Sequence, residues 1–199
     1  NKGNDAQQMI LYVSQYIRYT FRDNSSLVPL QTELNQVQNY YKLQKLNTRD
    51  SSELTISADP AVSKFPVPML CIQTFVENSF KHGRISSQPL NVHISVQLTE
   101  TEEGNYLNIS IQDNGTGFPD EFLQSFLQHT EDAVTGQHIG IHNLRQRLTL
   151  LYGDQAGLIC MNNSSGAMTE IILPIQEEPN TSSETKSSLL SNENLFSLS

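Results

Sequence analysis

The stretch "YLNISIQDNGTGFP", residues 106–119, places an alternating apolar segment directly before a loop with two glycines. Apolar side chains at every second position predict a strand with one buried face. The stretch "LNVHISVQL", residues 90–98, alternates in the same way, and the polar segment between the two predicts a hairpin. The loop "DNGTG" has two interpretations, because Asn-Gly is a common tight turn and a carboxylate at a strand end also suits a ligand.

The segments on either side of this hairpin predict helices that interrupt the strands. "SELTIS" reads as a strand, and a helix is expected from near Pro68 through "FVENSFKH". "DEFLQSFLQ" predicts a short helix, "GIHNLRQRLTLLYGD" a longer one, and "GLICMNN" with "AMTEIILPI" a closing hairpin. The order βαββααββ predicts a two-layer α/β sandwich with a mixed sheet.

Two amphipathic helices precede this domain. Ile10, Val13, Ile17 and Phe21 have helical spacing, and a second helix is expected from Pro29 to about Thr48. The pair forms either a hairpin packed on its own domain or a dimerisation hairpin. We favour the dimer, because so few residues make a poor core alone.

These patterns divide the chain into three parts. Residues 1–50 form the helical hairpin, residues 51–176 form the α/β domain, and residues 177–199 form a disordered tail rich in Ser, Asn and Glu.

Composition excludes several functions. The 199 residues carry a net charge of −9 with only 12 Lys and Arg, which argues against nucleic-acid binding. Cys71 and Cys160 are far apart in sequence, so we expect free thiols and no zinc site. The sequence also lacks an apolar run of membrane-spanning length.

The helix around "FVENSFKHG", residues 75–83, has one apolar and one polar side. A helical projection places the following residues on the sheet side: Met69, Ile72, Val76, Ser79 and Phe80. The other side carries Thr74, Glu77, Asn78, Lys81 and His82. Glu77 and Lys81 suit an ordinary i,i+4 pair on a solvated face. Asn78 is a mediocre helix former, and its amide oxygen suits magnesium that bridges phosphates.

Asp113 and two glycine positions are further candidates. A carboxylate only accepts hydrogen bonds, so Asp113 would accept from the amine of adenine and leave guanine unpaired. Gly115 and Gly117 would supply positive φ and room for a flat ring. Gly140 leads a helix whose free N–H groups suit phosphates, or it merely begins that helix. Arg145 and Arg147 suit either phosphates or the surface.

The order and spacing of these motifs resemble the ATP-binding domain shared by gyrase, Hsp90, MutL and histidine kinases, the Bergerat-type fold. The sequence is most similar to sensor histidine kinases of the LytS and YesM type. "FVENSFKHG" resembles their asparagine box "LVENAxKHG", and "DNGTGF" their first glycine box. "HIGIHNLRQRLTLLYG" resembles "GIGLxNxxxRLxLxYG", and "VPLQTELNQVQNYYKLQKLNTR" their second hairpin helix.

This resemblance implies a site for ATP and Mg²⁺. Asn78 would be the magnesium ligand, Asp113 would bind adenine, and Gly115 and Gly117 would shape the base pocket. Residues 118–139 would form the lid over the nucleotide. The remaining implied residues are Lys81 and His82 beside the phosphate tail, Gly140, Ile141 and Asn143 at the phosphates, and Glu77 in a catalytic role.

The sequence departs from the family pattern at three positions. His138 stands where the family's second glycine box begins with Gly, and Ala167 replaces a Thr near the site. Thr74 stands where gyrase-like and Hsp90-like ATPases carry a water-activating Glu. The lack of that base favours a kinase over a hydrolase.

The resemblance implies that the chain is the catalytic portion of a two-component sensor histidine kinase. ATP would phosphorylate a His, and the phosphoryl group would pass to an Asp of a response-regulator receiver domain. No His precedes His82, so we expect the acceptor to lie upstream of this chain. We expect a homodimer through the hairpin, and a bacterial, membrane-anchored parent with this part in the cytoplasm. The alternatives are a degenerate docking module, a gyrase/Hsp90-type hydrolase, and a serine kinase like the anti-sigma factors, against which the hairpin argues.

Overall fold

The computed structural model describes residues 2–20, 27–48, 51–85, 88–102, 104–128 and 138–175. Five α-helices lie in these ranges: α1 (Lys2–Thr20), α2 (Leu30–Thr48), α3 (Gln73–His82), α4 (Asp120–Leu127) and α5 (Ile139–Tyr152). The strands in these ranges are β1 (Leu27–Pro29), β2 (Glu53–Ala58), β3 (Pro66–Pro68), β4 (Asn91–Thr101), β5 (Gly104–Asp113), β6 (Gly157–Asn162) and β7 (Ala167–Pro174). Single 3₁₀ turns occupy Pro60–Val62 and Gly153–Gln155.

The main sheet has five strands in the order β2-β4-β5-β7-β6. β2 pairs with β4 in parallel, and the other three pairings are antiparallel. The predicted mixed sheet and α/β architecture are therefore confirmed. The predicted hairpins are also present as β4–β5 and β6–β7.

One face of the sheet is buried beneath helices. Alternate residues of the central strands point into the core, among them Ile94, Ile109, Ile111 and Ile171. Val76 and Phe80 of α3 and Leu144 and Leu148 of α5 are buried in the same cluster. Each such side chain contributes about 1.5–3 kcal/mol by leaving water, so α3 and α5 are held firmly over the sheet.

A small second sheet was not predicted. β1 and β3 pair antiparallel, with Pro29 opposite Pro66 and Leu27 opposite Pro68. Three-residue strands are too short to show alternation, and proline normally argues against a strand. This pairing ties the chain before α2 to the chain before α3.

The predicted start of α3 near Pro68 is wrong. Pro68 ends β3, turns occupy residues 69–72, and the helix begins at Gln73. Leu70 has a φ of 65°, which no helix interior allows. The N–H groups of this segment bind the carboxylate of Glu33 on α2, as described below.

The helical hairpin divides its packing between its two helices. Leu30, Leu34 and Val37 of α2 are buried in the main core, so α2 packs on its own domain, as in the first of the two interpretations. α1 covers the outer side of α2 and leaves Ile10 and Leu11 exposed. The dimer therefore stays a prediction, and it concerns the exposed face of α1.

Several expectations lie wholly or partly outside the described residues. These are the structure of the tail 177–199, Phe21 in the first stripe, and residues 129–137 of the expected lid. Cys71 and Cys160 are both buried free thiols. Among the described residues, none of the helices combines the length and apolar character needed to cross a membrane.

Candidate functional site

A cavity of about 180 Å³ opens beside α3, between the end of β5 and the start of α5. Its polar walls come from α3, β5, β7 and the loop after β5. They include Asn78, Ser79, His82, Asp113, Gly117 and Thr169. Ile111 and Phe75 supply an apolar floor. Four of the sequence-predicted site residues therefore meet in one place: Asn78, His82, Asp113 and Gly117.

Asp113 lies at the end of β5 with 5% of its surface exposed. Its Oδ1 accepts hydrogen bonds from the N–H groups of Gly115 (2.9 Å) and Ala167 (3.3 Å). Its Oδ2 accepts from the hydroxyl of Ser79 at 2.5 Å. A carboxylate has roughly four acceptor sites, so these three bonds fix its orientation and leave about one site for a donor in the cavity.

Three glycines allow the backbone to pack closely around Asp113. A Cβ on Gly115 would lie 2.1 Å from the carbonyl oxygen of Gly83, and a Cβ on Gly166 would lie 2.5 Å from the carbonyl oxygen of Asp113. The prediction of positive φ is confirmed for Gly117, at 80°, but is wrong for Gly115. Gly115 is required by close approach rather than by its dihedral angles.

Asn78 is half-buried and faces the cavity from the middle of α3. Its Nδ2 is buried and has no hydrogen-bond partner among the described residues. Within those residues, no group of three or more His, Cys, Asp or Glu is placed to hold a metal ion. A magnesium ion here would therefore depend on the Asn78 amide and on a ligand's own oxygens, which suits Mg²⁺ that arrives with phosphates.

Glu77 and Lys81 do not reach the cavity. Lys81 Nζ pairs with Glu77 Oε2 at 2.8 Å, and the Lys81 side chain is 57% exposed. Glu77 Oε1 accepts from the hydroxyl of Tyr16 (2.8 Å) and from the amide of Gln73 (3.1 Å). The i,i+4 interpretation of this pair describes the structure. The phosphate-tail role of Lys81 and the catalytic role of Glu77 stay predictions.

The start of α5 packs beside α3. Its N-cap residue His138 lines the cavity, whereas Gly140, Ile141 and Asn143 do not. A Cβ on Gly140 would lie 3.1 Å from the methyl group of Thr74, so glycine allows the two helices to approach. Ile141 is buried in the core, and Asn143 is exposed. The segment that leads into α5, residues 129–137, lies outside the described part of the chain.

Arg145 and Arg147 both bind backbone carbonyls. Arg145 donates to the carbonyl of Phe126 at 2.6 Å and also stacks over that ring. Arg147 donates to the carbonyl of Met69 at 2.5 Å. Both arginines therefore hold the domain together in this structure.

His138 caps α5 in a left-handed conformation, with φ 68° and ψ 12°. Its ring lines the cavity and packs on Phe122, with 4.4 Å between centroids. Burial, followed by the neighbouring His82 and His142, lowers the pKa of His138. Glycine adopts this left-handed backbone conformation without strain, so a Gly at position 138 would also suit the fold.

Sequence reasoning missed two hydroxyl groups of the cavity. Ser79 was assigned to the sheet side of α3, and Thr169 lies at a buried position of β7. The available signal was the same in both cases, a polar residue at a position where the pattern calls for an apolar one. Thr169 alternates with Ile171 and Leu173 on the inward face.

Two family profiles match the chain. The profile described as "Histidine kinase-, DNA gyrase B-, and HSP90-like ATPase" matches residues 67–179. A second profile, "Histidine kinase", matches residues 1–52. The first match covers more than half of the chain, so the chain belongs to the family of histidine kinase-, DNA gyrase B- and HSP90-like ATPases.

Curated relatives place it more narrowly among sensor kinases. An uncharacterized sensor-like histidine kinase of Staphylococcus epidermidis is 32% identical over 80% of this chain and 30% of its own length. The sensor protein LytS of the same species is 30% identical over 85% of this chain and 28% of its own length. The resemblance to LytS-type sensor kinases is confirmed. The chain spans under a third of the length of these relatives.

Solved structures support the fold. The catalytic domain of histidine kinase ThkA matches with a TM-score of 0.58 at 12% identity, over 77% of this chain and 98% of that one. The histidine kinase AdeS of Acinetobacter baumannii matches with a TM-score of 0.51 at 11% identity, over 87% of this chain and 77% of that one.

Proposed function

We propose that this chain binds Mg-ATP and supplies the catalytic part of a sensor histidine kinase. The observation that carries the proposal is Asp113, a nearly buried carboxylate held at a strand end by three hydrogen bonds and facing a cavity. Its remaining acceptor site suits the exocyclic amine of adenine. The carbonyl of guanine at the same place would leave the buried carboxylate unpaired.

Asn78 extends this proposal to the phosphates. It projects into the same cavity as Asp113, and its amide nitrogen lacks a partner among the described residues. In our proposal its amide oxygen holds a magnesium ion, which would neutralise charge on the phosphates. His82 lies at the exposed side of the cavity, where the phosphates of a bound nucleotide would extend out of the cavity. The start of α5, with Gly140, Ile141 and Asn143, is proposed to lie at the phosphates beyond it. The N–H of Gly140 is the group offered to them, because the N–H of Ile141 donates to the carbonyl of His138 at 2.9 Å.

Kinase chemistry is favoured over hydrolysis by the surroundings of Thr74. Its hydroxyl donates to the carbonyl of Leu70 at 2.7 Å, and its methyl group faces Gly140. A threonine engaged in this way cannot take a proton from water. The γ-phosphate would therefore react with a protein nucleophile, and the positioning of that nucleophile would supply most of the rate enhancement.

The partners follow from the proposed reaction. The phosphoryl group passes from ATP to the imidazole nitrogen of a His outside this chain, and ADP leaves. It then passes to an aspartate of a receiver domain. The exposed apolar face of α1 is proposed to join two copies, and the parent protein is proposed to be anchored in a bacterial membrane with this part in the cytoplasm.

Calorimetric titration with ATP and GTP, with and without magnesium, tests the proposal. We expect magnesium-dependent binding of ATP and weak or absent binding of GTP. Asn78→Ala should reduce Mg-ATP affinity by about tenfold or more, the equivalent of about 1.4 kcal/mol. Lys64→Ala is the control, because Lys64 is exposed, does not line the cavity and belongs to none of the predicted nucleotide-binding residues. Equal affinity of Asn78→Ala and the unsubstituted chain would refute the ligand assignment.

A further inference from the structure

The carboxylate of Glu33 on α2 lies at the point where α3 begins, and it is 0% exposed. Its Oε2 accepts a hydrogen bond from the N–H of Leu70 at 3.0 Å. Its Oε1 accepts from the N–H groups of Ile72 and Gln73, both at 3.1 Å. The first N–H groups of a helix have no partner within it. Glu33 therefore caps α3 from another element, with its charge at the positive end of the helix dipole.

The hydroxyl of Tyr19 on α1 completes this arrangement by donating to Glu33 Oε2. Burial raises the pKa of Glu33, and the hydrogen bonds from Tyr19 and the backbone oppose that increase. Burial and the nearby Glu33 raise the pKa of Tyr19, so its hydroxyl remains a donor. Leu70 lies within this turn at a φ of 65°. A strained residue persists only where its surroundings hold it, and Glu33 is what binds its N–H.

Tyr16 makes a second connection one turn earlier on the same face of α1. Its hydroxyl donates at 2.8 Å to Oε1 of Glu77, the residue before Asn78. Residues three apart on a helix lie on the same face. The hydroxyl of Tyr16 therefore binds the middle of α3 at Glu77, and the hydroxyl of Tyr19 binds Glu33, which caps the start of α3. In both cases a carboxylate receives the bond.

We propose that Glu33 is the positioning residue of the nucleotide site, and that Tyr19 and Tyr16 make helix α1 part of that function. The helix that they hold carries Asn78, Ser79 and His82 into the cavity. The bond of 2.5 Å between Ser79 and Asp113 joins it to the base pocket. A substitution that shifts the start of α3 therefore changes the shape of the cavity, although none of the lining residues is substituted. This inference rests on the proposed binding of Mg-ATP.

The linkage has a necessary counterpart. If a change in the position of α1 alters the affinity for nucleotide, then nucleotide binding must shift the equilibrium between those positions of α1 by the same free energy. The chain has 7 tyrosines, so labelling with 3-fluorotyrosine gives a small set of ¹⁹F signals. The ¹⁹F signals of Tyr16 and Tyr19, assigned by single Tyr→Phe variants, should shift on addition of Mg-ATP.

A double-mutant cycle with Tyr19→Phe and Glu33→Gln tests the proposal. Glu33→Gln keeps the side-chain shape but presents a donor toward the N–H of Leu70. We expect it to weaken Mg-ATP binding about tenfold, and Tyr19→Phe to weaken it about fivefold. The loss of Mg-ATP affinity in the double variant should be clearly smaller than the product of the two single losses, because both substitutions act through one hydrogen-bond network. Tyr12→Phe is the control, because Tyr12 is on the same helix α1 as Tyr19 but its ring contacts Lys42 of α2 instead of Glu33.

Amide hydrogen exchange separates positioning from a general loss of stability. A positioning role predicts faster exchange at Ile72 and Gln73 in Glu33→Gln, with β4 and β5 unchanged. A purely structural role predicts a lower unfolding midpoint with unchanged nucleotide affinity and uniformly faster exchange, and this result would overturn the proposal. If Glu33→Gln does not fold, Tyr19→Phe carries the same test.

The same exchange data distinguish the two proposals. If the unsubstituted chain binds no nucleotide, the proposed function fails. Local loss of protection at Ile72 and Gln73 would then still support Glu33 as the residue that positions α3. Unchanged protection there would overturn it.

Discussion

At the scale of single residues, Asp113 is proposed to determine which base the cavity accepts. Its Oδ1 already serves two backbone N–H groups, so in Asp113→Asn the amide oxygen should keep that place. The amide NH₂ group then faces Ser79 and the cavity, as a donor where an acceptor is needed. We expect ATP affinity to fall about tenfold or more and discrimination against GTP to relax. Competition binding with both nucleotides measures this, and intact ATP selectivity would show that Asp113 does not bind the base.

His138 combines backbone strain with ring packing, and two substitutions separate them. Both His138→Ala and His138→Gly remove the ring from Phe122, but only glycine also removes the cost of a φ of 68°. The glycine variant should be more stable than the alanine variant by about 1 kcal/mol, as measured by urea unfolding. Both should bind Mg-ATP more tightly if the ring crowds the nucleotide. Equal stability of the two variants would contradict the strain.

Residues of the site were predictable where chemistry and position agreed along the sequence. Asn78 and Asp113 stood out because an amide in mid-helix and a carboxylate before glycines are unusual locally. Glu33 was not predictable, since its role depends on N–H groups some 37–40 residues away in sequence. Ser79 was missed because its hydroxyl faces Asp113 from a helix side that otherwise packs on the sheet.

At the scale of elements, the loop after β5 and the end of α3 form one closely packed unit. Thr116 donates its N–H to the carbonyl of Gly83 at 3.2 Å and its hydroxyl to the carbonyl of His82 at 3.0 Å. This contact fixes the distance between Asp113 and Asn78, the proposed adenine and magnesium ends of the site. It is possible only because Gly115 has no side chain.

Gly115→Ala should disrupt this unit. The new Cβ would lie 2.1 Å from the carbonyl oxygen of Gly83, so the backbone must move. We expect a loss of about 3 kcal/mol or more in the free energy of unfolding, together with loss of nucleotide binding. Gly157→Ala is the control, because its Cβ would meet only a side-chain atom of Ile172 at 3.3 Å. A stable Gly115→Ala variant that binds ATP normally would contradict the packing argument.

Elements were predictable where a periodic pattern ran for long enough. β4 and β5 run for 11 and 10 residues, alternate in burial over residues 91–97 and 106–113, and pair in one continuous register. β1 and β3 have three residues each, too few for a pattern. The start of α3 was misplaced by about five residues because a carboxylate on another helix, Glu33, caps it.

At the scale of the whole molecule, the two helices of the hairpin are held by different kinds of contact. α2 is anchored by apolar side chains in the main core. α1 donates hydrogen bonds from Tyr16 to Glu77 of α3 and from Tyr19 to Glu33 of α2, which in turn caps α3. Polar contacts are directional, so they specify one position of α1 relative to the cavity. We propose that the exposed side of α1 binds a partner, and that a change there alters the hydrogen bonds to Glu33 and Glu77.

That exposed side predicts the assembly. Ile10 is 68% exposed and Ile17 is 48% exposed on α1. The double substitution Ile10→Ser and Ile17→Ser should weaken self-association about a hundredfold or more, since burying one isoleucine contributes about 1.5–3 kcal/mol. Analytical ultracentrifugation over a concentration series measures the equilibrium. Leu150→Ser is the matched control, because Leu150 is 86% exposed on α5, away from α1. A chain that stays monomeric throughout, or a control that dissociates equally, would contradict dimerisation through α1.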